Sequence, residues 1–144
     1  MKLPPEVLEL LQTEKVCFLA TSCQDRPQLS LMFFTYLPEK ELIILSSRAD
    51  TTKVRHIEKN PSVALLLYNL GGEEKHPVSC TLHGTASLAS GEDENLLRER
   101  HLAKNKDLGV FIVSPNIKII TMSLHHVELV DIKDRVRTWT KDPA

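Results

Sequence analysis

The sequence predicts a mainly β protein, an antiparallel barrel with short helices at its ends. Short strand-like segments follow one another along the chain, joined by hairpin-sized turns and interrupted by few helices. The segment Val78–Leu88 alternates apolar or small residues with polar ones over its whole length, which indicates a strand buried on one face. The 144 residues are 42% hydrophobic and 26% charged, a composition that suits one globular domain spanning residues 1–144.

The N-terminal half contains two predicted helices and four predicted strands. Pro4 and Pro5 followed by Glu6 predict a helix start, and the apolar residues of 7–11 give that helix a buried stripe. Asp50 is the predicted cap of a second helix, which covers Thr51–Lys59 and ends at Asn60-Pro61. Strands are predicted at Val16–Ser22, Gln28–Tyr36, Glu41–Ser47 and Ser62–Tyr68, with a turn at Gln24–Pro27.

The C-terminal half begins with the alternating strand Val78–Leu88. A charged, leucine-containing surface helix is predicted at Gly91–Lys104. The apolar segment Val110–Val113 follows, and Ile117–Leu124 and Val127–Ile132 are predicted as strands.

The strand at 28–36 is apolar on both faces. We expect Leu29, Leu31 and Phe33 to fill the barrel, which leaves Met32, Phe34 and Tyr36 in need of cover. A second subunit is the expected cover, so that the protein is a homodimer. The alternative is that the protein's own helices cover this face.

The histidines and cysteines do not predict a metal site. The candidates include the neighbours Cys80 and His83, but residues three apart on a strand point to opposite faces and cannot share an ion. The adjacent pair His125 and His126 meets the same objection, and His76 and His101 have no partner in the pattern. No nucleophile stands in a recognisable catalytic motif, so we expect the three cysteines to be reduced, small buried hydrophobes.

The segment 46–56 is a candidate anion site. A strand ends there in the hydroxyls of Ser46 and Ser47, and a helix then begins with Thr51, Thr52 and Lys53. Helix N-termini offer unpaired N–H groups and a favourable dipole, so a terminal phosphate monoester suits this arrangement. The alternative interpretation is an ordinary capped surface helix.

Charge and apolar segments limit the classes of partner. The net charge of −1 gives no basic excess for nucleic acid. No apolar stretch approaches the length of a membrane span, and glutamates interrupt the N-terminal segment where a secretion signal would need to be apolar. We therefore expect a cytoplasmic protein that binds neither nucleic acid nor membrane.

The order of several short motifs resembles that of a known family. Ala20-Thr21 ends the first strand, Arg26-Pro27 lies in the turn, Lys53 opens the helix and Asn60-Pro61 closes it. This order resembles the FMN-binding split-barrel family related to pyridoxamine 5′-phosphate oxidase, well over about residues 5–90 and more loosely beyond. The resemblance implies a six-stranded antiparallel split barrel that dimerises and holds FMN in two grooves between the subunits.

The resemblance also implies a set of cofactor-binding residues. The main chain of the second strand would line the flavin ring, the end of the third strand would flank it, and the helix start would hold the phosphate. Ser79 would reach the cofactor from the partner chain, and Trp139 is a weaker candidate for contact with the ring. The implied residues are Ser30, Leu31, Met32, Phe33, Leu45, Ser46, Ser47, Thr52, Lys53 and Ser79.

Departures from the family pattern bear on the reaction. Pyridoxamine oxidases carry an Arg and a Lys on the second strand where this chain has Ser30 and Thr35, and their substrate-gripping tail has no clear counterpart at 134–139. Arg48 and Arg55 are candidates to compensate for the lost phosphate donor. The sequence thus favours an FMN-dependent oxidoreductase acting on a small planar substrate other than pyridoxamine 5′-phosphate. Two alternatives stay open: a non-catalytic module holding FMN, haem or deazaflavin, and a structural dimer without cofactor.

Overall fold

The computed structural model describes residues 1–73 and 75–141, and their central element is an antiparallel barrel. The strands run in the sheet order β3-β2-β1-β4-β5-β6-β7, and β3 also pairs with β6, which closes a ring of six. The predicted six-stranded barrel is therefore correct, with an additional strand, β7, on the edge of β6. The strands are β1 Val16–Cys23, β2 Arg26–Leu37, β3 Leu42–Arg48, β4 Ser62–Asn69, β5 Val78–Leu88, β6 Ile117–Asp131 and β7 Val136–Thr140.

The β1–β2 hairpin closes through a two-residue turn. Gln24 and Asp25 both have positive φ, 52° and 60°, and Cys23 pairs directly with Arg26. Two successive left-handed residues match the right-handed twist of the flanking strands. This turn explains why β2 begins at Arg26, two residues before the predicted start.

β6 is one continuous strand where the sequence predicts two. It pairs with β3 through its first half and with β7 through its second half, while β5 runs alongside most of it. A bulge between His83 and Gly84 leaves His125 outside the register, which is the irregularity that separates the two predicted segments. A Cβ atom at Gly84 would lie 2.1 Å from the carbonyl oxygen of Ser123, so the close approach at the bulge requires glycine.

The helices lie close to their predicted positions, with one corrected cap. Thr51, rather than Asp50, is the N-cap of the second helix, because the Asp50 carboxylate turns away and pairs with Arg48 at 3.3 Å. Gly91 has a φ of 72° and lies just outside the third helix, and the apolar segment 110–113 falls largely in a short fourth helix. The helices are α1 Pro5–Thr13, α2 Thr52–Lys59, α3 Glu92–Lys104 and α4 Gly109–Ile112, with a 3₁₀ turn at Lys106–Leu108.

The two faces of β2 are the reverse of the prediction. Met32, Phe34 and Tyr36 point into the barrel core, where the apolar stripe of α1 packs against the same cluster. Leu29 and Leu31 on the opposite face are 69% and 66% exposed. The expectation that a second subunit covers Met32, Phe34 and Tyr36 is wrong, because the barrel interior encloses them, and the alternative of cover by helices holds only for the contribution of α1. The face that lacks cover is the other one. Both faces of β2 are apolar, so periodicity could not decide between them.

A second, smaller core lies outside the barrel under α3. Leu97 of α3 packs against Leu37, Ile44 and Ile119, which project outward from β2, β3 and β6. This contact places α3 and the segment after it beside the outer face of β2 and β3. Among the described residues, no helix has the length and apolar character that crossing a membrane requires.

Candidate functional site

A pocket of about 490 Å³ lies between the outer face of β2, the end of β3, the start of α2 and the segment 106–112. Its walls differ in character, because the β2 and α4 sides are mainly apolar and the β3–α2 side carries hydroxyls and cations. The lining residues are Leu31, Met32, Phe33, Ser46, Ser47, Arg48, Thr51, Lys53, Leu108 and Phe111.

Arg98 of α3 fixes the α4 side of this pocket. Its guanidinium donates to the carbonyl oxygens of Ile112 and Ile117 and pairs with Glu94 at 2.6 Å. Ile112 is fully buried, so the short helix is anchored on one side by apolar packing and on the other by the arginine. Phe111 and Leu108 are thereby held in the lining of the pocket.

The cationic end of the pocket combines Arg48 and Lys53. Partial burial lowers the pKa of Lys53, and the positive charge of Arg48 lowers it further, so the two cations lie close enough to repel each other. Asp50 pairs with Arg48 at 3.3 Å, but both side chains of that pair are largely exposed. The α2 N-terminus has no side-chain cap, which leaves its first amide groups available to an anion.

The hydroxyls of Ser47 and Thr51 are engaged with each other and with the backbone. They lie 3.0 Å apart, and the two groups are 3.0 Å and 3.1 Å from the carbonyl oxygen of Arg48. These contacts fix the sharp passage from β3 into α2. They also supply local acceptors for the protons of both hydroxyls.

A buried polar cluster lies directly behind Ser46, and the sequence reasoning missed it. His101 of α3 is fully buried, with Nδ1 2.8 Å from Thr35 Oγ1 and Nε2 3.1 Å from Ser46 Oγ. Burial lowers the pKa of His101 to about 4, with a smaller contribution from Lys104, so the imidazole is neutral at pH 7. The available signal was the position of His101 four residues after Leu97, which puts both on the packed face of α3.

The pocket gathers part of the predicted site. Met32 lines the pocket although its side chain packs in the core, which is consistent with the prediction that the main chain of this strand, not its side chains, lines the flavin ring. Leu45 is buried in the core, and the hydroxyl of Thr52 accepts a hydrogen bond from Arg55 at 3.1 Å outside the pocket. Ser30 is next to the lining residues on β2 but is not among them. The predicted residues in the pocket are Leu31, Met32, Phe33, Ser46, Ser47 and Lys53.

Three other residues that the sequence analysis singles out, Ser79, Trp139 and Thr35, do not line the pocket. Ser79 pairs with Tyr68 on neighbouring strands, away from the pocket, and its predicted role in a partner's site stays a prediction. Trp139 lies on β7 and packs against the barrel core. Thr35, which replaces a basic residue of the oxidases, belongs to the buried cluster behind the pocket and does not line it.

Two of the three thiols have the buried environment that the sequence predicts, and Cys23 does not. Cys17 and Cys80 are buried, and burial raises the pKa of each to about 12, so neither provides a thiolate at neutral pH. Cys23 is partly exposed. Cys80 is buried while His83 is exposed, which confirms that the two lie on opposite faces of β5.

Comparison with known proteins assigns the chain to a family. The family model described as pyridoxamine 5′-phosphate oxidase matches residues 3–131. The chain belongs to the pyridoxamine 5′-phosphate oxidase family. A relative from Schizosaccharomyces pombe, named a pyridoxamine 5′-phosphate oxidase homolog, is 28% identical over 94% of this chain and 90% of its own length.

Solved structures of the pyridoxamine 5′-phosphate oxidase fold resemble the chain closely in shape. A haem-binding protein from Mycobacterium smegmatis superposes with a TM-score of 0.80 at 18% identity, over 97% of this chain and 60% of that one. A FAD-binding protein from Mesorhizobium loti superposes with a TM-score of 0.73 at 15% identity, over 86% and 89%. At these identities the similarity establishes the split-barrel fold alone.

Proposed function

We propose that this member of the pyridoxamine 5′-phosphate oxidase family binds FMN in the pocket between β2, β3, α2 and α4 and uses it for redox chemistry on a small planar substrate. The observation that carries the proposal is the combination, in one pocket, of an apolar wall with two cations, Arg48 and Lys53. A planar ring system that ends in a phosphate monoester requires both. Ligand pockets of several hundred Å³ typically combine apolar walls with a few convergent polar groups in this way.

The apolar wall suits the ring. Leu31 and Phe33 from β2 face Leu108 and Phe111 across the pocket, and all four are at least partly exposed to it. Burying such surface against a planar ligand contributes about 25 cal/mol per Å² of apolar area. The β2 backbone beside these side chains would orient the ring edge through hydrogen bonds.

The cationic end suits the phosphate. Lys53 and Arg48 repel each other in the unliganded chain, and a dianion between them would relieve that repulsion. The uncapped N-terminus of α2 supplies further N–H donors. Arg55 is not part of this end, because its guanidinium donates to the carbonyl oxygen of Asp50 and to Thr52 on the outer side of the helix.

The cofactor, rather than a side chain, would supply the electron chemistry when bound. The protein would hold the ring against the β2 wall, anchor the phosphate and keep water away from the face covered by Phe111. A protein that holds FMN without turnover would need the same apolar wall and the same cations, so these residues bear on FMN binding more directly than on turnover.

The same proposal includes a homodimer. The outer faces of β2, β1 and β4 bring Leu31, Phe18 and Leu66 into one row, and Phe18 stacks on Tyr68 with ring centroids 6.1 Å apart. Together with Phe33, these residues form a partly exposed apolar surface, the outer patch. Leu31 and Phe33 belong both to the outer patch and to the pocket. A second copy seated on the patch would therefore also complete the pocket wall, since Leu31 lies on the shared border.

Ser79 supports this arrangement. It pairs with Tyr68, whose ring is on the outer patch, so the Ser79 side chain projects from the same face of the sheet. A two-fold partner laid across the patch would bring its own copy of this serine toward the pocket. This is the role that the sequence resemblance predicts for Ser79.

The visible spectrum of the purified protein and a titration test the proposal. We expect the purified protein to absorb at about 370 and 450 nm, the ordinary flavin bands. We also expect the cofactor-free protein to quench the fluorescence of added FMN. Haem serves as the competing ligand, because a structural relative is a haem-binding protein. A Soret band without flavin bands, or unchanged FMN fluorescence at protein concentrations of about 100 μM, would refute FMN as the cofactor.

A further inference from the structure

The polar cluster behind the pocket is nearly closed to water. Thr35, Ser46, His101 and Asn105 are each less than one-tenth exposed. The first three come from β2, β3 and α3, and Asn105 is the C-cap of α3. Ser46 is the only one of the four that also lines the pocket described above. Its hydroxyl therefore connects the interior cluster to whatever the pocket holds.

The Asn105 amide has a defined orientation. Its Nδ2 lies 3.0 Å from the carbonyl oxygen of His101 and 3.2 Å from Thr35 Oγ1, so both amide protons have acceptors. A flipped amide would place Oδ1 against the carbonyl oxygen of His101, an acceptor facing an acceptor. The second amide proton is directed at Thr35 Oγ1 and at His101 Nδ1, which is 3.3 Å from Nδ2, and the Oδ1 atom stays without a partner among the described residues.

The Asn105 amide favours an unprotonated His101 Nδ1, because a proton on Nδ1 would face the Nδ2 donor 3.3 Å away. Because Thr35 Oγ1 receives a proton from Asn105, its own hydroxyl proton is free to be donated to His101 Nδ1, 2.8 Å away. Nδ1 is then an acceptor, and the neutral imidazole carries its proton on Nε2. In the other tautomer, Thr35 would receive two protons, and its own proton would have no acceptor in the cluster.

The Nε2 proton in turn determines the role of Ser46. Nε2 lies 3.1 Å from Ser46 Oγ and donates to it. The proton of Ser46 is thus not needed inside the cluster. We propose that His101 is a positioning residue that makes Ser46 a hydrogen-bond donor directed into the pocket, selecting a ligand with an accepting atom, a carbonyl oxygen or an unprotonated ring nitrogen, at that point.

The other hydroxyls of the pocket differ from Ser46 in this respect. Ser47 and Thr51 have the carbonyl oxygen of Arg48 as an acceptor for their protons, as well as each other. Among the three lining hydroxyls, Ser46 differs because its partner is an imidazole nitrogen and no backbone carbonyl accepts its proton. The part of this inference that concerns the ligand rests on the proposed function. With FMN in the pocket, the Ser46 hydroxyl would donate to the accepting edge of the flavin ring.

The tautomer of His101 tests the inference without any ligand. In protein labelled with ¹⁵N, long-range ¹H–¹⁵N spectra at pH 7 distinguish the Nε2–H and Nδ1–H forms, and the His101→Gln variant identifies the signals of His101 by their loss. We expect the Nε2–H form. The Nδ1–H form, or a doubly protonated ring, would overturn the inference whether or not the protein binds FMN.

Titrations with FMN test the second part of the inference, that the Ser46 hydroxyl donates to a ligand in the pocket. Ser46→Ala should weaken FMN about threefold to tenfold, the range for one hydrogen bond between neutral groups. His101→Met, which removes the donor behind Ser46, should weaken it in the same direction, whereas His101→Gln keeps an amide donor and should recover most of the affinity. Ser123→Ala, at an exposed serine on β6, is the matched control, and near-ultraviolet circular dichroism checks that each variant is folded.

The outcomes separate this inference from the proposed function. Normal FMN binding by the parent with no change in Ser46→Ala would overturn the inference and leave FMN binding intact. Equal losses in His101→Met and His101→Gln would also overturn it, because they would indicate a packing role. A parent protein that binds no FMN would refute the proposed function, and the tautomer result would then decide the inference by itself.

Discussion

Removal of the Lys53 side chain separates recognition of the phosphate from recognition of the ring. Lys53 lies in the first turn of α2 and lines the cationic end of the pocket. In Lys53→Ala we expect FMN to bind about tenfold to a hundredfold more weakly. Riboflavin, which has the same ring and no phosphate, should bind almost unchanged.

The magnitude follows from the surroundings of Lys53. A charge-assisted hydrogen bond contributes about 1.5–3 kcal/mol, which corresponds to roughly ten- to 150-fold in affinity. Partial burial, which lowers the pKa of Lys53, strengthens its interaction with an anion. Arg48 remains in the variant, but its side chain is 65% exposed and paired with Asp50, so it replaces only part of the lost interaction.

Parallel fluorescence titrations with FMN and riboflavin measure the effect. Lys59→Ala is the matched control, because Lys59 is an exposed lysine at the far end of the same helix. Equal losses for the two ligands in Lys53→Ala would refute the reasoning, since they would mean that Lys53 supports the fold of the pocket. Equal losses for FMN in the two lysine variants would refute it as well, because they would indicate a general charge effect.

Four further predictions follow from the same structure. Sedimentation should find a dimer of the 16.3 kDa chain, and Leu31→Glu should dissociate it while Val136→Glu, a change of an exposed residue on β7, should not; a monomeric parent would contradict this. Steady-state assays should find pyridoxamine 5′-phosphate a poor substrate, because Ser30 stands on β2 where the family resemblance implies a basic residue in the oxidases, and a kcat/KM of about 10⁴ M⁻¹s⁻¹ or more would contradict it. Burial lowers the pKa of His101 from 6.5 to about 4, so between these two pH values the unfolded chain binds more protons than the folded chain. The free energy of unfolding should therefore fall by about 3 kcal/mol as the pH drops from 6.5 to about 4. Urea titrations at several pH values should detect this loss in the parent and not in His101→Gln. Finally, Cys23 should react with a thiol reagent in the native protein well before the two buried cysteines, and simultaneous reaction of all three would contradict the raised pKa of the buried pair.

The sequence by itself determined most of the strand and helix positions, because these depend on local periodicity and turn residues, although it divided β6 into two strands and did not predict β7. The alternating strand 78–88 has the predicted bounds, since one buried face leaves a clear period of two. The start of α2 next to the hydroxyls of β3 also follows from local residue types, and it brings Lys53, Ser46 and Ser47 to one pocket. The order of these motifs was sufficient to indicate the family that the comparison then established.

Only the tertiary structure decided which face of β2 is inside and what lies behind Ser46. Periodicity cannot choose between two apolar faces, and the choice depends on how α1 and the closed barrel enclose Met32 and Phe34. The contact of His101 with Thr35 and Ser46 spans 66 and 55 residues of chain, so no local pattern encodes it. It exists because Leu97 docks α3 on the outside of β2 and β3, which places the next turn of the helix over the two hydroxyls.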